Sequence, residues 1–390
     1  MSEFNASNFK KEEGGQGPDI IGTTELTSPY FMVPPSGTTA ERPSGCAPGT
    51  LRFNTDIGSL EYFKGDTLGW ESIVKTTPNL DGGVRALFAG GYTPSPSPGV
   101  CVDNVDKITI STVGNATDWC NLTEAKQGGG NLGDRTRAVY AGGRVSTTPG
   151  GSETNKIEFI TFSTQGNYAD SSGDLSASIM CSGLSNSTRG IFAGFIDPYA
   201  DTIDYITIQS IGNAQDFGNL TAVKGYTMQC ASSTRGLFFG GINNPSNPSI
   251  NTIDYVTIAS TGDAADFGDI TGSGSGGRYE GAAFSNSTRA VQAGGYGPGY
   301  TDEIEYVTIA TLGNSVEFGE LSALNGTGKG SGSSPTRGVL GGGYVHPSSG
   351  SSNILEYIQF ATTGDSIDFG DLSLARRMPQ SGCSNGHGGL

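Results

Sequence analysis

Apolar residues in this chain fall into short runs rich in Ile, Val, Phe and Tyr. Examples are Leu237-Phe238-Phe239, closed by Gly240-Gly241, and Ile253-Asp-Tyr-Val-Thr-Ile258, in which apolar and polar positions alternate. Alternation with a period of two, bounded by Gly, Asn and Asp, predicts short half-buried strands. In this stretch the pattern gives strand b over Arg235–Gly241, strand c over Ile253–Ile258, turn residues at Thr261–Asp266, strand d from about Phe267, and a following strand a around Tyr279–Phe284. The phrase recurs six times. Its arginines are Arg85, Arg137, Arg189, Arg235, Arg289 and Arg337, spaced 52, 52, 46, 54 and 48 residues apart.

A period near fifty, with a double glycine ending an apolar strand, is the signature of a four-stranded propeller blade of the kelch type. Such a unit cannot bury its own faces, so copies stack and close on themselves. The fold predicted is all-β: a six-bladed kelch-like β-propeller over 78–390, preceded by an extended N-terminal arm (1–47) and a small three-stranded β module (48–77). The first copy has no good strand a, whereas the C-terminal Ser381-Gly-Cys-Ser-Asn-Gly386 matches a strand a and lacks the b strand that would follow. Pairing Met378–Leu390 beside Val84–Gly91 completes the sixth blade and removes an exposed sheet edge.

Phe217, Phe267, Phe318 and Phe369 hold one place in four copies and Trp119 holds it in the first, which predicts a ring wedged between neighbouring blades. The second copy, Tyr168-Ala-Asp-Ser-Ser-Gly173, has one residue more and no aromatic there, so that blade is expected to be looser. The six arginines share one place in the repeat and are read as structural. The a–b and c–d turns hardly vary, while the b–c and d–a loops differ in every copy, collecting all variation on one face. Tyrosines on that face, Tyr92, Tyr199, Tyr296, Tyr300 and Tyr344, are the candidate ligand-binding residues. The bland alternative, that loops drift where packing does not restrain them, stands beside this reading.

Glycine makes up 63 of the 390 residues, which favours turns over helices, and no apolar run is long enough to span a membrane. The N-terminus lacks the basic start and apolar core of a secretory signal. A net charge of −16 argues against nucleic acid or an anionic membrane as partner. No catalytic, cofactor or metal site is expected. Two histidines, His346 in a b–c loop and His387 near the closing strand, cannot form a multi-histidine centre. Asp-Phe-Gly at 216–218, 266–268 and 368–370 reads as a blade turn, and Asp263, Asp266 and Asp269 as turn caps rather than calcium ligands. The six cysteines show no close pairing and are read as reduced.

The stretch Gly49-Thr-Leu-Arg-Phe-Asn-Thr-Asp56, with Leu60-Glu-Tyr-Phe-Lys-Gly65 and Gly69-Trp-Glu-Ser-Ile73, resembles short β modules of tail-fibre, baseplate and other virion proteins of tailed bacteriophages. The arm (Thr24-Glu-Leu-Thr-Ser-Pro-Tyr-Phe-Met-Val-Pro-Pro-Ser-Gly37) and the Ile-Glu-Tyr-Val-Thr-Ile repeats are similar to those of structural proteins from phages of marine cyanobacteria. The resemblance implies a non-enzymatic virion component, assembled in the bacterial cytoplasm, whose arm and module attach to other virion proteins while the propeller projects outward. The alternative is a carbohydrate- or receptor-binding adhesin that docks host surface glycan; a polysaccharide-degrading enzyme stands third. Copy number, and whether the chain self-associates, are left open.

Overall fold

The computed structural model describes residues 34–72, 84–94, 99–145, 152–164, 166–177, 180–196, 198–210, 212–243, 249–272, 276–323, 328–346, 350–377 and 382–390. It divides into two compact units, Met1–Thr76 and Thr77–Leu390. Regular structure among the described residues is β throughout, save one 3-10 turn at Thr39–Glu41.

The N-terminal unit holds a four-stranded sheet in the order Ser36–Gly37, Leu51–Asn54, Ser59–Phe63, Trp70–Ser72. The last three are the meander expected from the sequence. The first pairs parallel to Leu51–Asn54, so the folded part begins earlier than the boundary drawn at residue 47. One reason lies in Glu61, a fully buried carboxylate. It accepts hydrogen bonds from Arg42 (2.6 Å), Arg52 (3.1 Å) and Asn54 (3.1 Å), tying the segment before the meander onto it. The arm's residues 1–33 lie outside the described residues.

In the second unit the six repeats become six four-stranded antiparallel sheets, numbered here by the order of their strand b arginines. Sheet 4, for example, runs Met228–Ala231 (a), Arg235–Phe239 (b), Thr252–Thr257 (c), Ala265–Asp269 (d). Sheet 1 takes its strand a from the far end of the chain: Gly382, Cys383 and Ser384 pair with Phe88, Leu87 and Ala86. The expected union of the two orphan strands is therefore present, over 382–384.

Successive sheets are joined by the same devices, and sheet 6 is joined to sheet 1 as the others are to their successors. One apolar cluster lies between each pair. Ile203 and Phe217 of sheet 3 meet Phe238 and Ile258 of sheet 4, and Val339 and Phe369 of sheet 6 meet Phe88 and Ile110 of sheet 1. Burying each such ring contributes about 1.5–3 kcal/mol. The c–d turn explains the recurrent Gly-Asn/Asp: its side-chain oxygen accepts the backbone N–H ending strand d of the preceding sheet. Asn167, Asn213, Asp263, Asn314, Asp365 and Asn115 do this in all six junctions, at 3.0–3.1 Å. The glycine of Asp-Phe-Gly is needed for the same approach. A Cβ at Gly218 would lie 2.4 Å from the carbonyl oxygen of Gly262 in the next sheet, and its φ of +146° disfavours any side chain.

Two copies depart. Trp119 is only half-buried, with Lys107 5.1 Å above its ring, instead of wedging fully between sheets 1 and 2. Tyr168 of sheet 2 supplies the missing bulk there, buried among Leu122, Tyr140 and Phe162. The extra residue of the second copy is absorbed in a bulge between Lys156 and Glu158, opposite Ser172, whose φ is +59°.

Candidate functional site

Polar residues that recur with the repeat are occupied in holding the sheets together. Each strand b arginine reaches a carbonyl of the following sheet: Arg137 to Ile208 (2.8 Å), Arg189 to Ile258 (2.9 Å), Arg235 to Ile309 (2.8 Å), Arg289 to Phe360 (2.5 Å) and Arg337 to Ile110 (3.3 Å), with Arg85 bonded likewise to Phe162. Five of them also lie 4.5–5.0 Å over an aromatic ring of strand c. That geometry removes them as a ligand-binding arginine cluster. Each strand c carries a buried acid: Asp106, Glu158, Asp204, Asp254, Glu305 and Glu356. Five meet a buried cation from the preceding d–a linker. The pairs are Asp106–Arg376 (3.3 Å), Glu158–Lys126, Asp254–Lys224 (3.0 Å), Glu305–Arg278 (3.1 Å) and Glu356–Lys329 (3.8 Å). Burial lowers the Lys329 ammonium to about 8 against the pull of Glu356.

The a strands enclose a cavity of about 60 Å³ lined by Ser185, Gln229, Ser285, Ser333, Ser384 and His387, room for a few waters and too small for a saccharide. Ser185 and His387 are 3.3 Å apart there, but they are not a nucleophile and its base. Nδ1 of His387 accepts from the N–H of Gly389 (3.0 Å), so the proton sits on Nε2, which faces the Gly133 carbonyl at 2.7 Å. Ser185 donates to that same carbonyl at 2.7 Å. Burial holds the imidazole below its ordinary pKa, consistent with a neutral ring. No group of three or more metal-ligating side chains occurs among the described residues. None of the six cysteines is in a disulfide, and burial pushes Cys120, Cys181 and Cys230 up to about 12.

What remains is the face of the b–c and d–a loops. Four of the five tyrosines picked from sequence fall in one row of ring contacts that crosses sheets 3 to 6. Tyr199 meets Tyr226 (6.5 Å between centroids), Tyr226 meets Tyr279 (6.0 Å), Tyr279 meets Tyr296 (5.6 Å), Tyr296 meets Tyr300 (4.9 Å), and Tyr300 stacks on Tyr344 (5.3 Å, 28°). His346 stacks on Tyr300 at 4.8 Å and is exposed, and the Arg377 guanidinium lies 4.4 Å over Tyr344. Tyr199, Tyr296, Tyr300 and Tyr344 are half-buried, each leaving part of its surface to solvent. The fifth, Tyr92, makes no ring contact in the row. Its backbone pairs with that of Arg377 in both directions (2.8 and 2.9 Å), which places it beside the end of the row.

Sequence reasoning missed Tyr226, Tyr279, His346 and Arg377. Tyr226 has a φ of +54° and Glu280, next to Tyr279, one of +58°, so two d–a linkers turn sharply to bring their rings onto the row. The phenols feel the crowding: burial raises Tyr300, and it raises Tyr279 to about 12 with help from Glu280 and neighbouring tyrosines. No family model matches the chain, and the search of curated proteins found no match.

Proposed function

We propose that the second unit is a six-bladed β-propeller, and that the protein is a non-enzymatic virion component of a tailed phage whose propeller serves as a saccharide-binding adhesin. The propeller reading is supported by the cyclic succession of six sheets, each bonded to the next through its turn Asn/Asp and strand b arginine. The virion assignment is supported by the resemblance of the module at 49–73. In this reading the N-terminal segment attaches to other virion chains and the propeller is displayed.

The observation that carries the adhesin role is the row of six tyrosines on the one face where loops vary. The carbon-bound hydrogens of a pyranose present an apolar face that lies flat on an aromatic ring, while its hydroxyls bond to polar tips such as phenols. Rings already locked by their neighbours lose little entropy on binding, and a few such anchors dominate affinity. Replacing Tyr199, Tyr296, Tyr300 and Tyr344 together with serine should abolish adsorption of particles to cells while particles still assemble. Undiminished adsorption by correctly assembled particles would leave the propeller a structural element and remove the adhesin role.

A further inference from the structure

Arg377 stands out among the arginines of this unit. The strand b arginines are bonded to carbonyls, Arg144, Arg278 and Arg376 are each ion-paired, and Arg135 is exposed to water in the a–b turn of sheet 2. Arg377 has no ion pair and no side-chain hydrogen bond among the described residues; its guanidinium rests on Tyr344, and its Nε is shut off from solvent without a partner. Its charge is felt at Tyr300, where it opposes the upward push of burial on the phenol. A guanidinium with unused donors, backed by an aromatic ring and set beside a second ring, is built to receive a planar carboxylate in bidentate fashion.

From this we infer that the row's end at Tyr300, Tyr344, His346 and Arg377 is a subsite for an acidic saccharide, a pyranose whose ring lies on the tyrosines and whose carboxylate pairs with Arg377. The inference rests on the saccharide-binding reading of the row and narrows it to a class of sugar. The rest of the molecule sharpens the point. With a net charge of −16, the chain offers no general attraction to anions, so a preference for an acidic sugar has to come from this one local charge. The substitution that tests it is also mild, because the Arg377 side chain makes no ion pair or hydrogen bond among the described residues and loses only its contact over Tyr344.

The test is titration calorimetry on the full chain with four probes: trigalacturonate, sialyllactose, and their neutral counterparts, the carboxyl methyl esters of the same two sugars. Two acidic probes separate a uronate from a sialic-acid source of the same carboxylate. At least one acidic probe should bind on the order of 10–100-fold more tightly than its neutral counterpart, the range set by hydrogen bonds to a charged group. Arg377→Gln should erase that margin, so that acidic and neutral sugars bind alike, while the thermal melt stays close to that of the parent. Tyr300→Ala with Tyr344→Ala should lose both acidic and neutral binding. If acidic and neutral sugars bind alike, or if Arg377→Gln keeps the margin, the acidic subsite is wrong and the saccharide-binding reading survives. If none of the four binds, both fall.

Discussion

The same substitution made at two equivalent places in the repeat should have opposite consequences. Asp254 in sheet 4 and Asp204 in sheet 3 are both fully buried strand c acids, each accepting the backbone N–H of a linker residue, Thr221 (3.0 Å) and Ser176 (2.9 Å). Asp254 also meets the fully buried ammonium of Lys224 at 3.0 Å. Asp204 has no cation, and its Oδ1 is buried without a hydrogen-bond partner among the described residues. The linker explains the difference. Leu-Ser/Thr-x-x-Lys/Arg recurs at Leu122–Lys126, Leu220–Lys224 and Leu372–Arg376, but the corresponding stretch before sheet 3 is Leu175-Ser-Ala-Ser-Ile179, with isoleucine at the place of the cation.

Asp254→Asn strands Lys224 in the interior and should cost about 3–5 kcal/mol, the range for breaking a buried ion pair by removing one partner. That corresponds to a fall in melting midpoint on the order of 5–10 °C. Asp204→Asn strands nothing and removes an uncompensated carboxylate, so it should leave stability within about 1 kcal/mol of the parent or raise it. Burial first, and Asp216 across the strand second, raise the pKa of Asp204 above its unfolded value. The stability from its proton is full below the unfolded carboxylate range and is lost as pH rises through the folded pKa. The advantage of Asp204→Asn over the parent should therefore grow as pH rises. Calorimetric melts of both variants between pH 4 and 8 read this directly. In an Ile179→Lys background, Asp204→Asn should turn destabilising, as it is in sheet 4. Equal losses for the two Asn variants would refute the reasoning.

Other outcomes follow from the closure and from the cavity. A chain ending at Arg377 lacks the strand that pairs with Arg85–Ala89, and it should aggregate or melt without cooperativity; a melt like the parent's would show that the pairing of Gly382–Ser384 is dispensable. Arg337→Gln removes the bond across the sheet 6–sheet 1 junction and its contact over Tyr357, and should lower stability by about 1–3 kcal/mol, read as a denaturant midpoint shift at unchanged slope. The buried His387 has its pKa lowered, so the unfolded chain binds the proton more readily. Stability is retained above the unfolded value near 6.5 and lost as pH falls below it; His387→Gln should flatten that dependence in melts between pH 7 and 5.

The strands, their repeat and the pairing of the two orphan strands were legible because alternation, double glycines and the orphan strand a are local signals. The buried ion pairs were not. Ile-Asp-Tyr reads as ordinary alternation, and its cation lies about thirty residues earlier, at spacings that shift where linkers lengthen, as before Arg278 and Lys329. The tyrosine row was half legible. Loop position pointed to Tyr199, Tyr296, Tyr300 and Tyr344, but Tyr226 and Tyr279 lie beside strand a, where the pattern assigned them to linker or strand, and only the backbone turn exposes their role. Tyr92 lies beside the row without a ring contact in it, because a place in a variable loop does not say which way a ring faces.

A repeat protein separates two kinds of residue. Those that recur with the period meet the same neighbours in every copy, so their chemistry is consumed by the junctions: the arginine on a carbonyl, the turn Asn/Asp on an N–H, the acid on a cation. Those that do not recur have no neighbour supplied by the period, and any polar group among them that stays unpaired is retained at a cost to folding or is kept for a ligand. Asp204 and Arg377 are the two that test this division. Asp204 recurs but lacks the cation that its equivalents meet, and it lies fully buried in strand c, so its cost should appear in stability. Arg377 does not recur, and it lies at the end of an aromatic row on the variable face, so its cost should be recovered in binding.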